Sequence, residues 1–547
     1  MSALFIMKTL VHHQKIFSAL LLWLVVFQVV AAGQEPVTVT VNGVTAIAET
    51  DDNFVCATLD WWPPNKCNYN QCPWGRASVL NLVGLLLNLE NPILQKAIKA
   101  FNPLRIRIGG SLQDQVVYQI GEHGRQCPTF RKTNDGLFGF SSGCLPMKRW
   151  DDVNHLFNET GVIVTFGLNA LAGRQKTSDG LWNGPWDSSN ARDFVQYTVL
   201  KGYNIDSWEF GNELSGSGVA ARVDANQYAQ DLITLKSILN DLYQNSSTLP
   251  LVIAPGGFFD QQWYSQLLEN SGPGVLDVLT HHIYNLGAGV DPGLKSKILD
   301  PFFLSEIAQT FKDLQQTIQE FGPWSSAWVG ESGGAYNSGG RLISNTFINS
   351  FWYLDQLGMS STFNTKAYCR QALIGGNYAL LNTTTFVPNP DYYRHVCSSG
   401  TFFSPVTCSA LLWHRLMGNK VLETTIDGSA YLRAYTHCAK DTTGITLLLI
   451  NLSNTTTFHI TVRDDVNLVP MEVSAESPQR QEYKLRPKDG NLVSQSMFLN
   501  GRPLELTEDG DIPPLQPTIV DGNKPIAMDP LSIAFFTLKD FQAPACA

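Results

Sequence analysis

Ile205-Asp206-Ser207-Trp208-Glu209-Phe210-Gly211-Asn212-Glu213 is a short strand-like run that stops at a glycine and is followed at once by an asparagine and a glutamate. A second stretch, Trp324-Ser325-Ser326-Ala327-Trp328-Val329-Gly330-Glu331, has the same plan: an apolar run, a glycine, then a glutamate. Each places one carboxyl group at a strand end. Around them, strand-like runs alternate with amphipathic stretches. Leu104–Gly110 and Gly161–Asn169 come before, Leu251–Pro255 and Val278–Tyr284 lie between, and Ala225–Leu242 and Leu304–Phe321 carry helical periodicity. Strand-then-helix units repeated over roughly 350 residues predict an α/β chain built on a parallel (β/α)8 TIM barrel.

Past Leu416 the texture changes. Ala430–Tyr435, Ile445–Asn451 and Thr457–Val462 are short alternating segments separated by Gly, Asn, Asp and Pro, which predicts a second, smaller all-β sandwich domain. Pro36–Gly43 is also strand-like, so residues 34–50 are expected to pair with that C-terminal β domain. Lys8 and Lys15, an apolar run from Ile16 to Val30, and the small residues Ala31, Ala32 and Gly33 have the order of a secretory signal over 1–33. The barrel is then expected over 51–415 and the sandwich over 416–547. No later stretch is long enough to predict a membrane span.

Charge narrows the partners. Lys plus Arg (38) falls below Asp plus Glu (48), for a formal net charge of -10. Such a surface offers neither nucleic acid nor an extended polyanion a broad cationic face, so a small or mostly neutral substrate is expected. A secretory route gives meaning to the ten cysteines and to the sequons at Asn158, Asn245, Asn382, Asn451 and Asn454. Cys67 with Cys72, Cys127 with Cys144, and Cys438 with Cys546 are candidate disulfides. Cys67–Cys72 also reads as a metal clip, but no His or second Cys pair follows at finger spacing.

In a parallel barrel the chemistry gathers where strands end, so ring closure can bring Glu213 and Glu331 face to face. Two carboxyl groups about 5 to 5.5 Å apart across a glycosidic bond act as acid/base and nucleophile of a retaining glycosidase. Two neighbouring carboxyls raise one pKa by repulsion, so activity is expected in acidic media such as a vacuole or cell wall. Glu209, within the strand, is expected to point into the barrel wall against Arg105 or Arg107. Trp61 and Trp62 are candidates for stacking on an aromatic aglycone.

Trp208–Glu213 resembles the Asn-Glu signature of barrel glycosidases with acid/base after the fourth strand and nucleophile after the seventh. Leu104–Gln115, His281-His282-Ile283-Tyr284, Gly330–Tyr336 and Leu411–Gly418 resemble more closely the plant heparanase-like branch of family 79 glycoside hydrolases, with similarity from about Val37 onward. That resemblance implies a β-glucuronidase needing no cofactor or metal, with Glu213 as acid/base and Glu331 as nucleophile. It implies Asn212 on the sugar 2-hydroxyl and Tyr284 donating to the nucleophile. Asp60 and Ser111 would meet sugar hydroxyls. The loop Tyr336-Asn337-Ser338-Gly339-Gly340 would present backbone N–H groups to the uronate carboxylate, with Tyr378 as a phenolic donor. A glucuronide of a small aromatic molecule or of a wall glycan is the implied substrate; a silent carbohydrate-binding wall protein is the competing reading. Two segments, Val83–Asn88 and Arg394–Cys408, read as insertions relative to the family pattern.

Overall fold

The computed structural model describes residues 33–547 apart from 76, 78–86, 122–126, 393–408, 466–477 and 514. The signal segment up to residue 32, the insertion at 394–408 and most of that at 83–88 lie outside the described residues. Eight parallel strands close into a barrel: Val55–Asp60, Arg105–Gly109, Ile163–Leu168, Ser207–Phe210, Leu251–Gly257, Val278–Ile283, Ser326–Ser332 and Thr365–Arg370. The last pairs with the first, where Cys369 lies opposite Cys56 and the two are disulfide-bonded.

Helices return the chain between strands. Pro92–Lys99 starts where the Asn91 side chain accepts from the Ile93 and Leu94 N–H groups, and Ala225–Leu242 where Asp224 accepts from Asn226 and Gln227. Met147–Thr160 ends at Gly161, whose φ of 68° gives the left-handed stop that glycine adopts at least cost. The stretch read as one helix over Leu304–Phe321 is two pieces, Pro301–Ser305 and Ala308–Phe321; capped by Asp300, the first begins at Pro301, three residues earlier than periodicity suggested.

The second unit is all-β. Among the described residues eleven strands form one hydrogen-bonded sheet, in which Gly33–Glu49 runs antiparallel to Met417–Asp427 and parallel to Thr456–Asp464. The sheet wraps its own core of Val37, Val39, Leu447, Leu449, Phe458 and Phe536. Alternate residues of the same strands, Leu448, Ile450 and Phe535, join the barrel core instead. Ile445–Asn451 is therefore buried on both faces. The helix Phe347–Thr362 lies between barrel and sheet and is buried along all but its last residue. Asp355 on this helix takes Arg433 Nε at 2.8 Å and the Tyr435 hydroxyl at 2.7 Å, so the charge buried at the junction is paired.

Cys67–Cys72, Cys127–Cys144 and Cys438–Cys546 are disulfide-bonded; the pairing of Cys56 with Cys369, 313 residues apart, was not anticipated because nothing local marks it. No helix among the described residues is long and apolar enough to cross a membrane.

One sequon is unusable in the folded chain. Asn451 is fully buried, and its side-chain nitrogen donates to the carbonyls of Thr456, Met528 and Asp529. A glycan there would displace three hydrogen bonds and the sheet around them. Asn158, Asn245 and Asn454 are exposed, and Asn382 is half-buried. In protein secreted from a eukaryotic host, glycopeptide mapping is expected to find sugar on Asn158, Asn245 and Asn454 and none on Asn451. Stoichiometric occupancy of Asn451 would contradict this placement.

Candidate active site

Along a barrel strand every second side chain points inward. Arg105 and Arg107 therefore stack one above the other inside. Arg105 sits low, over the Trp328 ring at 4.4 Å, and binds Thr165 and Asp206. Arg107 sits one layer higher and reaches three partners: Glu209 Oε2 at 2.7 Å, Glu331 Oε2 at 2.8 Å and Asn212 Oδ1 at 2.8 Å. Glu209 is thus fully buried in the barrel interior and ion-paired to Arg107, while Arg105 goes to Asp206.

Glu331 reaches the mouth through a bulge. His281 pairs with Val329 but His282 pairs with Glu331, so Gly330 is the extra residue that re-aims the following side chain. The Tyr284 hydroxyl donates to Glu331 Oε1, so both carboxylate oxygens have a donor. Burial and the Glu331 charge push the Tyr284 phenol well above its usual range, keeping its proton in place to donate.

Glu213 follows the fourth strand at a left-handed φ of 55°, its N–H donating to the Gly256 carbonyl at 2.7 Å. Its Oε1 lies 3.1 Å from His282 Nδ1. Burial raises the Glu213 carboxyl to about 7, offset in part by Arg107. Burial also lowers His282 to about 3, so this imidazole is neutral at ordinary pH. One carboxylate oxygen of Glu213, one of Glu331 and a ring nitrogen of His282 all lie within 4.8 Å of one another. Three such groups are a possible metal-ligand set, but the Arg107 cation already occupies Glu331.

The remaining expected residues fall around this centre. Asn212 is buried beside Glu213, its N–H donating to Asp114 Oδ2 at 2.8 Å. Arg107 takes its side-chain oxygen, so the amide nitrogen is left without a partner among the described residues. Asp60 is buried and accepts from Gln371 Nε2 at 2.8 Å and from the Trp62 N–H at 3.2 Å. Burial, then the nearby Glu331 charge, raise its carboxyl to about 7. Ser111 is half-buried and follows Gly110, whose φ of 103° and approach to Asp60 leave no room for a Cβ. Tyr378 is buried, with its phenol raised by burial and by the charges of Asp60 and Glu331. Asn337, Ser338 and Gly339 have φ of 59°, 75° and 77°, and Tyr336 is exposed at the rim.

Trp61 and Trp62 are not stacking platforms. Trp61 is 1% exposed and packs edge-on against Phe166, while Trp62 packs among Trp74, Phe138 and Phe140. Phe258 is an exposed ring at the mouth; its centroid is 6.4 Å from that of Tyr284 and its carbonyl accepts from Ser215. Arg107, His282, Asp114 and Gln371 were not singled out from sequence as site residues. A charged or polar residue at an inward position of a barrel strand was the available signal for Arg107 and His282.

A closed parallel barrel with two buried glutamates facing each other at its mouth defines the protein as a barrel glycoside hydrolase. Solved structures agree on the fold. A 4-O-α-L-rhamnosyl-β-D-glucuronidase from Fusarium oxysporum superposes with TM-score 0.59 at 16% identity, covering 92% of this chain and 100% of the other. A family 51 arabinofuranosidase from Xanthomonas axonopodis gives TM-score 0.62 at 14% identity, covering 92% and 99%. Residues 36–358 match the N-terminal domain of glycosyl hydrolase family 79, and the chain belongs to that family. It is 58% identical over 541 residues to heparanase-like protein 2 of Arabidopsis thaliana, covering 94% of this chain and 96% of the relative. With baicalin-beta-D-glucuronidase of Scutellaria baicalensis it shares 42% over 506 residues, covering 90% of each.

Proposed function

We propose that the protein is a secreted, exo-acting, retaining β-glucuronidase that hydrolyses β-D-glucuronides of small aromatic molecules. The observation that carries this reading is the short separation of Glu213 and Glu331, an oxygen of each lying within 4.8 Å, with different electrostatic surroundings. Glu213 is buried and held near 7, a proton donor; Glu331 is fixed by Arg107 and Tyr284, an aimed nucleophile. So short a gap suits direct attack and leaves little room for the intervening water of an inverting enzyme.

In the first step Glu213 protonates the glycosidic oxygen as Glu331 attacks the anomeric carbon, and the aglycone leaves as its hydroxyl. The ionised Glu213 then takes a proton from water, which attacks the glycosyl ester and frees Glu331 with the β configuration kept. The Asn212 amide nitrogen, which has no partner among the described residues, bonds the sugar 2-hydroxyl as positive charge builds on the ring. Asp60 and Ser111 receive other hydroxyls. The sugar carboxylate is received by the Asn337–Gly339 turn, whose backbone N–H groups donate to no group among the described residues, and by the Tyr378 phenol. Phe258 offers an aromatic face to the leaving group, in keeping with the activity that the Scutellaria relative is named for.

The test is hydrolysis of an aryl β-glucuronide, followed by NMR of the first sugar formed and by a pH profile. The β anomer is expected first; the α anomer would overturn retention. Because the acid must be protonated, kcat/KM is expected to fall as pH rises through about 7, the value to which burial lifts Glu213. In Glu213→Ala that alkaline limb disappears, and turnover of substrates with poor leaving groups drops about 10²–10⁴-fold. An unchanged limb in the variant would remove Glu213 from the acid role.

A further inference from the structure

Residues 67–72 make a small loop outside the barrel, closed by the Cys67–Cys72 disulfide. Asn68 and Gln71 exchange two backbone hydrogen bonds of 2.8 and 2.9 Å, and Tyr69 and Asn70 turn the tip at left-handed φ of 51° and 59°. The disulfide and the paired backbone hold these four residues in one shape.

That loop grips the turn proposed to receive the uronate. Ser338 Oγ, buried, donates to Asn68 Oδ1 at 2.9 Å and accepts from Trp74 Nε1 at 2.9 Å. The Asn337 side-chain nitrogen donates to the Tyr69 hydroxyl at 2.9 Å. On the opposite side, Asn377 donates from its backbone to the Ser338 carbonyl at 2.6 Å and from its side chain to the Gly339 carbonyl at 3.1 Å. Asn337 and Ser338 sit at positive φ, a region L residues keep only when their surroundings hold them there. With side chains and carbonyls tied outward on two sides, the N–H groups of Asn337, Ser338 and Gly339 are the groups left for an anion.

We infer that the Cys67–Cys72 loop is a specificity element of the active site: Asn68 and Tyr69 are positioning residues that hold the Asn337–Gly339 turn in its carboxylate-receiving shape. The inference rests on the glucuronidase reading and extends it to a loop remote in sequence from both glutamates. Asn68 and Tyr69 bond only this turn among the site residues, so their loss bears on ground-state binding of the carboxylate and leaves the reacting carboxyls in place.

The test compares wild type with Asn68→Ala and with the double variant Cys67→Ser/Cys72→Ser, the first guarding against misfolding of the second. On an aryl β-glucuronide, KM is expected to rise about tenfold while kcat stays within about twofold, the signature of lost uniform binding. Amide hydrogen exchange of Asn377, whose N–H is bonded to the Ser338 carbonyl, is expected to quicken by about tenfold or more, as opening of the turn becomes easier. Variants of an active enzyme that move neither KM nor exchange, or that lower kcat with KM and exchange unchanged, overturn the inference alone. A wild type that turns over no glucuronide overturns the reading beneath it and the inference together.

Discussion

Glu331→Gln is expected to lose turnover of any aryl β-glucuronide by about 10⁴ to 10⁶-fold, the range seen when a covalent nucleophile is removed from its catalytic set. The glutamine amide keeps the shape of the side chain but cannot form the glycosyl ester. Its effect on folding should be small, because Arg107 keeps Glu209 as a buried partner at 2.7 Å. Near-UV circular dichroism and the unfolding midpoint therefore stay close to wild type while activity disappears. A smaller Glu331→Gly residue opens space for azide, and the expected product is the α-glucuronosyl azide, formed by a single inversion on the face the carboxylate vacated. A variant retaining more than a few per cent of activity would place the nucleophile elsewhere.

Arg107→Met is expected to damage both stability and catalysis. Arg107 is the cation that compensates Glu209, which is fully buried, and Glu331, and removing one member of such a network costs about 3–5 kcal/mol because a buried charge is left unpaired. The loss should depend on pH. Burial already raises Glu209 even with Arg107 present, and without it the folded state would hold a proton on Glu209 that the unfolded chain releases above its ordinary carboxyl pKa. Stability of the variant relative to wild type therefore falls as pH rises above the usual carboxylate range and partly recovers in acid. Denaturant unfolding at pH 5 and pH 8 measures this. Equal stability of the two proteins at pH 8 would show that the charge is compensated otherwise. Adding Glu209→Leu should restore much of the stability, since an apolar pair of similar volume is often as stable as the ion pair. Activity should not return with it, because Glu331 still lacks its cation.

Six of the eight barrel strands were readable as apolar runs ending in turn residues. The first and eighth, Val55–Asp60 and Thr365–Arg370, were not. The first is interrupted by Thr and the second by Thr, Lys and Arg; each is held extended by a barrel neighbour on both sides, and Cys56–Cys369 joins the two. That pairing spans 313 residues and leaves no local trace. Trp61 and Trp62 were misread for a related reason. Tryptophan beside a site carboxylate has the same local sequence whether it lines a pocket or packs beneath one, and only burial distinguishes the two. The sequon at Asn451 is the same case: its Asn-x-Ser pattern is local, while its place inside the sheet is not.

What the chain determined by itself was periodicity and placement: strands alternating with helices, a β-rich tail, and two glutamates each set after a glycine at a strand end. These follow from nearest-neighbour chemistry, because side-chain alternation and turn propensity act over a few residues. What tertiary structure alone decided was which charged groups meet. Barrel closure stacks Arg107 between Glu209, Asn212 and Glu331, the bulge at Gly330 turns Glu331 to the mouth, and burial separates a proton-holding Glu213 from its partner. Those properties depend on distance and dielectric between residues far apart in the chain, so they come into being only when the barrel closes.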